Sequence, residues 1–226
     1  MMKNMRMKKG DIVIFLISLL SSTVLFAQKK VSELTLVYDA TITTGNPKPG
    51  LADAFDGATT TVYIKGPVSR SEMVSALASF TTIHDSRNGS SVILQEVSGQ
   101  KLLIRMTSDN WRDKNRRYEG ISFTNTEEKK MIAGYNCIKA IAQMKDGSTF
   151  TVFYTNEIIP ENQEYSYQFK TLNGLPLEYE LTQRDLKIKY TVSKISLNPV
   201  PVSKFDIPKS GYREMTYEES KKVGSR

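Results

Sequence analysis

Hydrophobic and polar residues alternate with a period of two along most of the chain. In ELTLVYDATITT, Leu34, Leu36, Tyr38, Ala40 and Ile42 share one face, while Glu33, Thr35, Asp39, Thr41 and Thr43 take the other. KLLIRMT sets Leu102, Ile104 and Met106 against Lys101, Arg105 and Thr107. EYSYQFK sets Tyr165, Tyr167 and Phe169 against Glu164, Ser166, Gln168 and Lys170. LPLEYEL and DLKIKYTV repeat the pattern through Leu175, Leu177, Tyr179 and Leu181, then Leu186, Ile188, Tyr190 and Val192. Successive side chains of a strand point to opposite faces, so each segment reads as a strand with one dry and one wet side, as in antiparallel sheets.

The punctuation agrees. Asn88-Gly89 separates FTTIHDSR from SSVILQEV, Asp146-Gly147 separates IKAIAQMK from STFTVFYT, and Gly99-Gln100 joins two further strands. Asn-Gly and Asp-Gly tolerate the positive φ angles of tight hairpin turns. The pattern predicts a mainly β protein: a curved antiparallel sheet of roughly a dozen strands in an up-and-down meander. Helices are expected to be few and short. LADAFDG near residue 51 could form a turn or two, and Thr216 followed by Glu219 forms a capping box that opens a terminal helix. No helix-period segment stands between the strands, so a parallel βαβ fold is not expected.

The first 27 residues break the pattern. Lys3, Arg6, Lys8 and Lys9 precede a nearly unbroken apolar run from Ile12 to Leu20, and small residues lead to Ala27 before Gln28. That order predicts a secretory signal peptide over 1–27 with cleavage after Ala27, since the run is shorter than the roughly 18–20 residues that span hydrocarbon. The expected product is a soluble single domain over 28–226, periplasmic or secreted. Those 27 residues hold four of the 31 Lys/Arg and one of the 24 Asp/Glu, so the remainder has 27 bases against 23 acids. The formal charge of +7 thus falls to +4, too mild to suggest nucleic-acid binding. The densest basic spot, WRDKNRR from Trp111 to Arg117, reads as a solvated loop.

Candidate chemistry is sparse. Cys137 is the one cysteine, which leaves no internal disulfide, and lipidation at a cleavage site would require cysteine where Gln28 stands. His84, the one histidine, lies on a different predicted strand from Cys137, so the spacing assembles no nucleophile–base pair. Metal ligation would fall to the carboxylates Asp53 and Asp56, Glu127 and Glu128, or Glu218 and Glu219. None has the spacing of a known metal loop, and they read as solvated surface. Glycine-rich phosphate loops are absent, and neither a cofactor nor a catalytic residue is expected.

Aromatics are the richer signal: Tyr38, Tyr63, Phe123, Phe150, Tyr154, Tyr165, Tyr167, Phe169, Tyr179 and Tyr190 all fall on predicted strands. Ordinary core accounts for many of them. A curved sheet with few helices also leaves an apolar face that could form a groove for an apolar ligand. On the strand 136–144, Ile138, Ala140, Ala142 and Met144 are expected to face that side, with Phe150, Val152 and Tyr154 as hairpin partners across Asp146-Gly147. Cys137 falls on the opposite face unless Gly134 introduces a bulge that shifts the register.

The stretches SRSEM, GQKLLIRMT, IAGYNCIKA, DGSTFTVFYTNEI, LNGLPLEYEL and FDIPKSGYREMTYEE, between Val68 and Glu219, resemble a secreted domain family of unknown function from Bacteroidetes-type bacteria. That family is related to periplasmic lipoprotein carriers of the LolA/LolB type. The resemblance implies a curved antiparallel half-barrel, lidded by short helices in true carriers, that holds acyl chains on its concave face. No segment here reads as a clear lid helix. The expectation is an exported, non-catalytic protein that binds a hydrophobic ligand, such as a lipid or the acyl portion of an acylated envelope protein. The alternative is a structural or protein–protein interaction module of the cell envelope.

Overall fold

The computed structural model describes residues 28–44, 57–183 and 186–224. The expected signal peptide and residues 51–56 of the LADAFDG segment lie outside the described residues. The strands are β1 (Lys29–Val31), β2 (Glu33–Thr44), β3 (Thr59–Lys65), β4 (Val68–Val74), β5 (Ala78–Asp85), β6 (Ser90–Val97) and β7 (Gln100–Met106). After helix α1 (Ser108–Lys114) come β8 (Ser122–Ile132), β9 (Tyr135–Gln143), β10 (Thr149–Thr155), β11 (Ile158–Pro160), β12 (Leu175–Gln183) and β13 (Leu186–Ser196). A four-residue strand, β14 (Arg213–Thr216), leads into helix α2 (Tyr217–Gly224).

Twelve of these strands form one curved, open sheet in the order β14-β7-β6-β5-β4-β3-β2-β13-β12-β10-β9-β8. All neighbours are antiparallel except β14, which runs parallel to β7. The chain meanders outward from β2 to β7, crosses to the far edge, and meanders back from β8 to β13, which pairs with β2. In a flat sheet, the ten strand spacings between β7 and β8 would measure about 48 Å. The crossover, residues 107–121, contains α1 and a 3-10 turn at Arg116–Tyr118. Those turns advance only about 16 Å, and the few extended residues add about 20 Å. The link is too short for a flat sheet, so the sheet has to curl until its ends approach, with the crossover inside the curve.

Hairpin chemistry sets the register. Ser98 and Gly99 have φ of 50° and 79°, and Ala133 and Gly134 have 48° and 85°. Two consecutive positive φ values in a two-residue loop make the turn whose twist matches its strands. Gly134, expected to mark a bulge in a strand, therefore sits in the β8–β9 turn. The irregularity lies in β8, between Asn125 and Lys129. The predicted capping box at the terminal helix is present: the Glu219 amide donates to Thr216 Oγ1, and the Thr216 amide donates to Glu219 Oε2 at 2.7 Å.

Two segments differ from their sequence reading. EYSYQFK is not a strand; it forms 3-10 turns at Gln163–Tyr165 and Tyr167–Phe169. Tyr167 and Phe169 still bury, but as a cover over the sheet. WRDKNRR is not a solvated loop: its first part is α1, capped by Thr107, whose hydroxyl accepts from the Asn110 amide at 3.2 Å while Asn110 Oδ1 accepts from the Thr107 amide.

The core lies on the concave face. One cluster gathers Leu34, Leu36, Tyr38, Val62, Ile64, Leu177 and Val192 from the central strands, with Val31 and Ile158 from the short β1–β11 ribbon. The C-terminal segment crosses the other face of β4–β7, where Ile207 and Tyr212 pack on Val92, Leu94 and Leu103. It then rounds the edge through β14, so that Tyr217 joins Ile93, Ile104, Met106 and Trp111.

Candidate functional site

Cross-strand partners define a row Leu36–Val62–Ser71–Thr82–Ile93–Ile104 across β2 to β7. The next row towards the β5–β6 turn is Ile64–Ser69–His84–Ser91–Met106. Hydroxyls therefore interrupt the concave face on its β3–β6 side, while aromatics dominate on the β12–β13 side.

A cavity of about 460 Å³ opens between this face and the crossover, within the size range of small-molecule sites. The sheet contributes Tyr38, Thr60, Val62, Ser71, Thr82 and Tyr179. Its cover is the crossover, with Trp111, Lys114 and Tyr118, together with the 3-10 segment at residues 165–169. Tyr179 stacks on Tyr190 at 4.8 Å between centroids and meets Tyr38 and Phe169 edge-on at 5.8 and 4.9 Å. These aromatic edges give the wall a fixed shape.

His84 locks the cover. It is buried, shares a 2.9 Å hydrogen bond between Nδ1 and the Ser91 hydroxyl, and stacks on the Trp111 indole at 4.7 Å. Burial pulls its pKa below the ordinary histidine value, against the opposing pull of Glu164 and Asp85. Gly89 completes the attachment: a Cβ there would stand 2.8 Å from Ser108 Cβ, and its φ is +69°. Only glycine lets the β5–β6 turn approach the start of α1 so closely.

The charged groups that line the cavity are cations. Lys114 and Arg117 line it together with nine hydroxyl-bearing residues, and among the described residues no carboxylate does. Lys114 reaches solvent but is ringed by protein, which lowers its ammonium pKa. Arg117 leans over the Tyr118 ring, 5.1 Å from its centroid. Trp111 Nε1 and the Tyr165 hydroxyl are buried there without a hydrogen-bond partner. Burial raises the pKa of Tyr165, and of Tyr38 and Tyr179, well above the ordinary phenol value, so all three stay protonated. The Tyr38 hydroxyl donates to the Pro176 carbonyl at 2.8 Å.

The seven residues singled out in the sequence stand beside this cavity. Ala140, Ala142, Met144, Phe150, Val152 and Tyr154 are buried and Ile138 is half-buried, all in one cluster. The register pairs Ala142 with Phe150, Ala140 with Val152 and Ile138 with Tyr154. Their cover is the chain itself: Ile121, Phe169 and Leu172 pack onto them. None of the seven lines the cavity, and the open space lies further along the sheet, towards β2–β5.

Cys137 takes the opposite face of β9, as its alternation predicts, but that face is also apolar. Its side chain is buried among Ile132, Phe153 and Ile158, and burial pushes its thiol pKa up to about 11. It stands seven places from the His84 strand in the sheet order. Among the described residues, no three His, Cys, Asp or Glu side chains converge as a metal site would require.

Sequence reasoning missed Trp111, Lys114 and Tyr118 as cavity residues. The available signal was Thr107-x-x-Asn110, a capping box with Asn in the third helical position, where Glu or Gln is the usual choice.

No protein-family model and no curated protein matches the chain. Among solved structures, PNGF-II superposes with a TM-score of 0.50 at 12% identity, over 85% of this chain and 33% of that one. MucB superposes with a TM-score of 0.37 at 10% identity, over 88% and 64% of the two chains. LprF from Mycobacterium bovis gives 0.33 at 10% identity, over 75% and 88%. The chain spans about a third of PNGF-II, and that likeness is one of fold alone; the other two are too loose to bear on function.

Proposed function

We propose that this chain is an exported, non-catalytic binding protein that holds the acyl portion of a lipid or acylated protein of the cell envelope. The observation that carries the reading is the cavity between the concave sheet face and the crossover. One wall is built of Tyr38, Val62 and Tyr179, and Phe169 faces them from the cover. Such a site shelters an apolar chain from water and leaves its polar end at the rim. The order of charge and apolar run in residues 1–27 supports export to the periplasm or beyond. No helix among the described residues is long and apolar enough to cross a membrane.

The test is organic extraction of the purified protein followed by mass spectrometry, with uptake of a fluorescent acyl probe measured alongside. Co-purifying lipid or saturable uptake is expected. Absence of both would overturn the reading.

A second reading, an interaction module of the envelope, draws on β8, an eleven-residue edge strand paired only with β9. Glu127, Glu128, Lys129 and Lys130 and the irregularity beside them blunt that edge against strand addition, which ranks this reading second. Recovery of only monomer when the protein is purified with its envelope fraction would remove it.

A further inference from the structure

The cavity's polar groups point to more than an apolar chain. Among the described residues no carboxylate pairs with Lys114, although twelve ion pairs form elsewhere. Lys114 sits three residues from Trp111 on α1, so both project from one side of the helix. It also lines a second concavity of about 510 Å³ on the other side of α1, bounded by Ile93, Gln95 and Ile104. There its neighbour Asp113 is already engaged by Lys221 and the Tyr217 hydroxyl. Buried donors without acceptors are costly, and native structures leave few of them. Trp111 Nε1 and the Tyr165 hydroxyl are two such donors, on residues that line a space bordered by Lys114 and Arg117 and, among the described residues, by no carboxylate.

We propose that the ligand is an anionic amphiphile, an apolar chain ended by a carboxylate or phosphate. Its oxyanion pairs with Lys114 and accepts hydrogen bonds from Trp111 Nε1 and the Tyr165 hydroxyl, while its chain lies on Tyr38, Val62, Phe169 and Tyr179. This rests on the acyl-binding reading above and narrows its ligand class. The Tyr165 phenol is a donor at neutral pH, and an arriving anion supplies the charge partner that Lys114 lacks among the described residues.

Trp111 is the single tryptophan of the chain, so its fluorescence reports on the cavity without a label. The purified, delipidated protein would be titrated with palmitate, with hexadecanol as the uncharged counterpart, and with inorganic phosphate. Palmitate is expected to bind about tenfold more tightly than hexadecanol. Lys114→Met is expected to erase that preference, lowering palmitate affinity far more than hexadecanol affinity. Tyr165→Phe should weaken palmitate binding severalfold and hexadecanol binding less; it removes one oxygen and keeps the ring, which guards against a folding artefact.

Equal affinity for palmitate and hexadecanol, or a preference that survives Lys114→Met, would overturn the anionic assignment and leave acyl binding intact. Displacement of palmitate by millimolar inorganic phosphate with the same Trp111 signal would also overturn it, by assigning the site to a free anion. Failure of palmitate and hexadecanol alike would sink the acyl-binding reading itself.

Discussion

The imidazole of His84 lies 4.7 Å from the indole of Trp111, with the two planes only 20° apart. One ring stands on the concave face of β5 and the other on α1, so this stack holds the crossover against the sheet. Trp111 continues the contact edge-on to Tyr167, 6.4 Å away, and links both covering segments in one aromatic chain.

The stack makes stability depend on pH. Burial lowers the pKa of His84 in the folded protein, so the unfolded chain takes up this proton first as pH falls. The contribution is therefore complete above the ordinary histidine pKa of about 6.5 and declines as pH drops below it. Thermal melts at pH 7.5 and 5.5 are expected to show a lower midpoint at 5.5. His84→Gln should lower the midpoint at pH 7.5 but flatten the difference between the two. A wild-type midpoint that is constant or rises towards pH 5.5 would contradict the assignment.

Cys137 should be chemically silent in the native protein. Its thiol is buried and its pKa stands at about 11, so almost no thiolate exists at pH 8 and reagents have no path to it. Native protein is expected to show negligible reaction with a disulfide-exchange reagent over an hour, and one thiol per chain in denaturant. Rapid native labelling would mean that the β9 face opens.

Gly174 places the covering segment on β10. A Cβ at this position would meet the Thr155 carbonyl oxygen at 2.4 Å and Tyr154 Cδ2 at 2.6 Å. Thr155 is in a paired strand and fully buried, so the backbone has little room to yield. Gly174→Ala is expected to destabilise by about 1–3 kcal/mol, a fall of about 2–4 °C in Tm per kcal/mol at this size. An unchanged melting temperature would show that the segment shifts freely.

Strands and turns were legible because both are local. Alternation in β2, β7, β12 and β13 states which residues face together, and Asn88-Gly89 and Asp146-Gly147 state where the chain reverses. The capping box at Thr216 was equally local. The cover was not: EYSYQFK alternates as a strand does, yet it folds into 3-10 turns that bury Tyr167 and Phe169 against the sheet, a choice set by distant residues. At seven residues, α1 is too short to show a helical period.

By itself, then, the sequence determined a mainly β chain, the two faces of its strands and the register across its tight hairpins, because side-chain period and positive-φ turns are properties of neighbouring residues. The tertiary structure alone decided which part of the concave face is filled and which is open. That depends on where the short crossover and the 163–172 segment land on the curled sheet. They plug the stretch over Ala140, Ala142 and Val152 and leave space beneath Trp111 and Lys114.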